Sequence, residues 1–241
     1  MRGLGLAVMI LFCTLFTSAQ PSKLDDFASK IKAKGYPSDI RLLRKTLGAS
    51  HKEFLKNYKA YSETEEVFST GNYDCLSGTM ILSAIFDRLN LDYKIYETNY
   101  HIFLVVTTSE GEALVETTDK NNGLVTNKAE IENRFKTYKD FGQGTDMYLS
   151  KLSIFNEVNR EQMQGLVLFN KAVSRFLQND LINSFHLLFQ AKECYDNPRI
   201  TEFSKVLLKQ IKVSELEEQL KEKLISKLAK LNTEQLSVVA M

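Results

Sequence analysis

The stretch GNYDCLSGTMILSAIFDRL, residues 71–89, decides how the chain is read. It begins polar at Gly71–Asp74 and turns apolar at Cys75. Leu76, Met80, Ile81, Ala84, Ile85 and Leu89 recur at helical spacing, and Leu82 and Phe86 widen the apolar face beyond what a surface helix needs. A helix apolar on most sides is a central one. Asp74 or Asn72 can cap its start. Cys75 then stands in the first turn, where unpaired backbone N–H groups and the helix dipole favour negative charge.

After this helix the period changes. DYKIYET (92–98), YHIFLVVTT (100–108) and EALVETT (112–118) are short, β-branched and aromatic-rich, which predicts strands, with SEGE (109–112) as a hairpin turn. The unit 72–118 is thus helix, strand, strand, strand: an α+β core in which a small antiparallel sheet packs on the central helix. Upstream, 22–35 and 38–48 are helices stopped by Gly35 and Gly48, and a longer one from about Ser50 turns Phe54, Leu55, Tyr58 and Tyr61 toward the core. From about Asp146 the chain is helical again. Two amphipathic stretches, 161–178 and 180–195, meet at Asn179-Asp180, and Pro198 opens a third. Small Ser184, large Leu188 and small Ala191 on the second stretch resemble one tetratricopeptide unit. Leu216, Leu220, Leu224, Leu228 and Leu231 mark a final helix that docks on its neighbour, with a partner-binding role as the sharper alternative.

Residues 1–19 are set aside as a cleavable signal peptide: Arg2, an apolar run from Leu4 to Phe16, then small Thr17 and Ala19 before Gln20. The run is shorter than the ~20 apolar residues of a membrane span, so a secreted or periplasmic protein is expected; left uncleaved, the segment is a membrane anchor. The organisation is therefore signal peptide (1–19), α+β domain (20–145) and helical region (146–241). Basic residues (31) and acidic residues (30) nearly cancel, which argues against nucleic acid as a partner. Beyond the signal only Cys75 and Cys194 remain, too few for a disulfide scaffold, and their separate helices argue against pairing. No metal-ligand spacing and no phosphate-cradling glycine loop occurs, so neither metal nor organic cofactor is implied.

A thiol attacks acyl carbons as thiolate, and needs a base within reach. Of three histidines, His101 opens a strand where a side chain can project toward a helix start. An exposed His51 and a half-buried His186 have structural readings. Glu116, a carboxylate in an apolar strand beside that of His101, is the group to orient the imidazole; Asp119, in the turn-like DKNNG, is second choice. The Cys75 N–H is a natural oxyanion donor, with Asn72, Tyr73 and Tyr100 as side-chain candidates.

Cysteine on a central helix, histidine at a strand start and an acid on the next strand resemble the transglutaminase-like superfamily, a circularly related form of the papain-type arrangement. The resemblance spans 71–106 and continues through 113–123. It implies Cys75 as nucleophile, His101 as general base and Glu116 as orienting acid, acting on a protein or peptide substrate. The family more often has Asp followed by Pro-Thr where this chain has Glu116-Thr117-Thr118. It also often joins this core to helical repeats. Two functional readings follow: an exported acyl-transfer enzyme acting on amides, or a silent module that binds a protein or peptide, with the C-terminal helices as a partner surface. In a third, purely structural reading, Cys75 is core filling.

Overall fold

The computed structural model describes residues 19–140 and 154–238. The predicted signal peptide lies outside these residues except for Ala19, which begins α1 (Ala19–Lys32). Among the described residues no helix is long and apolar enough to cross a membrane.

The central helix of the sequence reading is α4 (Cys75–Leu89). Asp74 is its N-cap. Its carboxylate accepts the Ser77 N–H at 2.8 Å, and the Ser77 hydroxyl in turn accepts the Asp74 N–H at 2.9 Å. Ile81, Leu82, Ile85 and Phe86 have no exposed surface, each contributing about 1.5–3 kcal/mol of burial. That four such positions lie on adjoining faces confirms that the helix is enclosed. At its C-terminus Asn90 adopts the left-handed conformation, φ 57°, that ends many helices.

The protein is α+β. The three expected strands are β3 (Asp92–Thr98), β4 (Ile102–Thr108) and β5 (Gly111–Val115). Two further strands, β6 (Leu124–Val125) and β7 (Phe155–Val158), flank them. The order is β6-β5-β4-β3-β7, with every neighbouring pair antiparallel. β4 lies at the centre and is buried on both faces, which explains its unbroken IFLVV. Ile102, Leu104 and Val106 pack with α4, whereas Phe103 and Val105 pack on the opposite face with Ile131, Phe135 and Tyr138 of α5 (Lys128–Asp140).

Upstream, Gly48 does not end a helix. α2 runs through it, Asp39–Glu53, because Leu43, Thr46, Leu47, Ser50 and His51 form one buried face; that packing outweighs the ~1 kcal/mol cost of an interior glycine. The helix expected from Ser50 is absent beyond Glu53. Phe54 and Leu55 are buried as expected, but Tyr58 is 62% exposed and Tyr61 is 39% exposed. Tyr58 instead belongs to a two-residue strand, β1 (Asn57–Tyr58), which pairs in parallel with β2 (Asn72–Tyr73) just before Cys75. The short α3 (Thr64–Ser69) connects them.

The segment expected to be helical from Asp146 contains β7, which completes the sheet beyond residue 145; residues 141–153 lie outside the described part. α6 (Arg160–Leu177) and α7 (Leu181–Cys194) form an antiparallel hairpin turning at Asn179, φ 61°. Ser184 donates its hydroxyl to the Ala172 carbonyl across it at 2.8 Å. α8 (Pro198–Lys212) follows, and α9 (Glu218–Val238) docks on it through buried Leu224, Leu228 and Leu231, as the plainer reading of its leucines expected. α6 serves two cores: Met163 and Leu166 belong to that of α4 and the sheet, Phe169 and Ala172 to that of the later helices.

Candidate active site

The start of α4, the start of β4 and the end of β5 converge on one point. Cys75 is partly exposed and not disulfide-bonded. The neighbouring Asp74, which would oppose a thiolate if it faced the sulfur, is committed to the cap. One carboxylate oxygen accepts both Ser77 groups, and the other accepts from Asn170 of α6 at 3.4 Å. Burial pushes the Asp74 pKa up, and the Ser77 hydrogen bonds only partly counter it.

His101 follows the Thr98–His101 turn. Its Nε2 lies 3.6 Å from a Glu116 carboxylate oxygen, an ion-pair distance longer than a hydrogen bond. The ring packs at 5.8 Å from that of Tyr138 and at 6.1 Å from that of Phe103. Burial alone would lower its pKa. The nearby Cys75 sulfur and Glu116 carboxylate outweigh burial and raise it to about 9. The structure therefore brings Glu116 to His101, with the Cys75 sulfur near enough to the ring to affect its titration.

Glu116 stands one residue past β5. Its amide donates to the Gly123 carbonyl at 2.7 Å, closing the 116–123 loop. Within that loop Asp119 accepts the N–H groups of Asn121 and Asn122, so the second-choice acid is spent on the turn. The other Glu116 oxygen accepts from Arg134 of α5 at 3.2 Å, and Arg134 also bonds Glu130. Burial raises the Glu116 pKa, but His101 and Arg134 more than compensate and hold it below the ordinary value. Arg134 escaped the sequence reading. Its signal is the spacing of Ile131, Phe135 and Tyr138, which puts Arg134 on the inward side of a helix.

A close approach of helix to sheet makes this geometry. A Cβ on Gly78 would stand 2.9 Å from the Thr117 hydroxyl, 3.0 Å from its Cβ and 3.1 Å from the Tyr73 ring. Thr117, adjacent to Glu116, is fully buried and places its hydroxyl 3.5 Å from the Cys75 carbonyl. Gly78→Ala is expected to push Thr117 outward. Overpacking of this kind costs about 1–3 kcal/mol, against ~1 kcal/mol gained from alanine's helix propensity, so a thermal melt should show a lower midpoint.

The other histidines differ from expectation. His51 is buried, not exposed, with Nδ1 3.2 Å from the Leu55 carbonyl and its ring edge-on to Tyr73. Burial pushes its pKa down. His186 is exposed rather than half-buried. Of the oxyanion candidates, Tyr73 is buried against Gly78, while Tyr100 is 38% exposed beside His101.

A second polar cluster, also missed, lies behind the histidine turn. Glu97 at the end of β3 is 1% exposed. It accepts from Asn197 at 2.8 Å, Asn156 at 3.1 Å, Arg199 at 3.1 Å and the Tyr195 hydroxyl. Burial and Glu97 push the Tyr195 phenol up to about 12, which keeps it a donor. Two surface clefts, of about 640 and 300 Å³, lie elsewhere: one between the end of α4 and β7, the other beside α2 and the β4–β5 turn. Among the described residues no group of His, Cys, Asp and Glu is arranged to hold a metal ion.

No protein-family model, no curated protein and no solved structure matches the chain.

Proposed function

We propose that the protein is an exported, transglutaminase-like cysteine acyl-transfer enzyme acting on peptide or side-chain amides. One observation carries this reading: a half-buried imidazole 3.6 Å from the Glu116 carboxylate and within electrostatic reach of the Cys75 sulfur. The Cys75 thiolate attacks the amide carbon, and the carbonyl electrons move to oxygen beside the Cys75 N–H. As the tetrahedral adduct collapses, the C–N bond breaks and the His101 imidazolium protonates the departing amine. A water or a second amine then gives a proton to neutral His101 and attacks the thioester. The products are a carboxylic acid or a new amide, and the free thiol.

The alternative is a silent binding module, with the C-terminal helices as its partner surface. Alkylation separates the two. A model thiol with pKa near 8.5 is only ~0.3% ionised at pH 6. We expect Cys75 to react with iodoacetamide at pH 6 at least ~10-fold faster than such a thiol, and His101→Ala to remove the advantage. Labelling is assigned by peptide mass, since Cys194 is also a thiol. A Cys75 no more reactive than the model thiol would sink the enzyme reading.

The pH dependence follows from His101. Its folded-state pKa is raised, so the imidazolium persists below it and is lost as pH rises through about 9. Acyl transfer should fall over that window for want of a proton donor. The stability gained from the charged ring is fully present below its unfolded pKa of about 6.5 and disappears over the same rise.

A further inference from the structure

The geometry points to Arg199 as a positioning residue for His101: from the first turn of α8 it holds the turn that carries the imidazole, so the helical region completes the site. This rests on the reading of Cys75 and His101 as a working thiol–imidazole pair.

The Thr98–His101 turn is tied at its first residue. The Thr98 N–H donates to the His101 carbonyl at 2.7 Å, and the Thr98 hydroxyl accepts the His101 N–H at 3.0 Å. Whatever holds Thr98 therefore holds the backbone of His101. Arg199 does so, donating from Nη2 to the Thr98 carbonyl at 2.7 Å. The same Nη2 reaches a Glu97 oxygen at 3.1 Å, while Nε is buried without a hydrogen-bond partner. An arginine serving only to neutralise a carboxylate would present two parallel N–H groups to it. Here the shorter bond goes to the turn and half of the fork is unused.

Burial pushes the Arg199 pKa down, and the Glu97 carboxylate opposes that. Around His101 itself stand Cys75 from α4, Glu116 after β5, Tyr138 from α5 with Arg134 behind the carboxylate, and Phe103 on its own strand. Arg199 and Glu97 act on the ring only through Thr98 or across this shell.

The experiment is the pH profile of iodoacetamide labelling at Cys75 in the full chain, for wild type, His101→Ala, Arg199→Met, Arg199→Lys and the double variant Glu97→Gln/Arg199→Met. The double variant leaves no unpaired buried charge and guards against a misfolded Arg199→Met; Arg199→Lys keeps the charge but cannot bridge Thr98 and Glu97 as the guanidinium does. Positioning predicts that labelling at pH 6 falls about tenfold in Arg199→Met and in the double variant, with Arg199→Lys between them and wild type, while melts and far-ultraviolet spectra show folded protein. If Arg199 merely neutralises Glu97, the double variant labels like wild type and the inference is overturned. If His101→Ala labels like wild type, the thiol–imidazole reading fails and takes the inference with it. If His101→Ala is slow and every Arg199 variant is fast, the inference fails alone.

Discussion

Glu97→Ala is expected to cost the fold about 3–5 kcal/mol, the usual penalty for leaving a buried charge without its partner. Domains of this size hold only about 5–15 kcal/mol in reserve, so the variant should melt far below wild type or fail to accumulate folded. The magnitude follows from what the carboxylate serves. Arg199, Asn156, Asn197 and the Tyr195 hydroxyl all turn to it, in a pocket where Glu97 is 1% exposed. Alanine strands one cation and three neutral donors. Glu97→Gln keeps an acceptor oxygen and should lose less. Urea melts of the two variants check both the size and the order; equal midpoints for Glu97→Ala and wild type would mean that water replaces the carboxylate freely.

Glu116→Gln should cut acyl transfer by about 10³-fold or more, the scale of effect seen when an orienting carboxylate becomes an amide. The amide removes the charge that pairs with His101 at 3.6 Å and with Arg134 at 3.2 Å. The imidazolium loses its support while Arg134 keeps Glu130 as a partner. Because its folded pKa is lowered, the stability from Glu116 is fully present above about pH 5 and is lost as pH falls through the ordinary carboxylate range and below. Glu116→Gln should remove that acid-sensitive part of the stability profile. The measurements are turnover of a peptide amide substrate, and melts between pH 3 and 7. Turnover within threefold of wild type would remove Glu116 from the mechanism.

Much of this arrangement was legible in the chain because local patterns and tertiary demands agree. The wide apolar face of α4 meant a helix enclosed on most sides, and IFLVV meant a strand covered on two faces. Cys75, His101 and Glu116 stand out in the sequence because each breaks such a pattern at its edge. Where local and tertiary demands diverge, the reading missed. Gly48 looks like a stop, yet a buried face carries α2 through it. Tyr58 and Tyr61 look like a helical core, yet both are exposed, Tyr58 within a two-residue strand. The short β7 pairs with β3, a partner 55 or more positions away in sequence, which no local window can register. Arg134, Glu97 and Arg199 were invisible for a related reason. A charged residue on a helix or strand reads as solvated until the covering element is known, and each of these is covered by chain far from it in sequence.

The two allegiances of α6 have a mechanical consequence. The first half of that rod packs with α4 through Met163 and Leu166, Asn170 at its middle bonds the cap of α4, and its far end anchors the hairpin that leads to Arg199. A load applied to the distal helices has no soft joint in α6 at which to dissipate. It would be felt at the start of α4 and at the Thr98–His101 turn together.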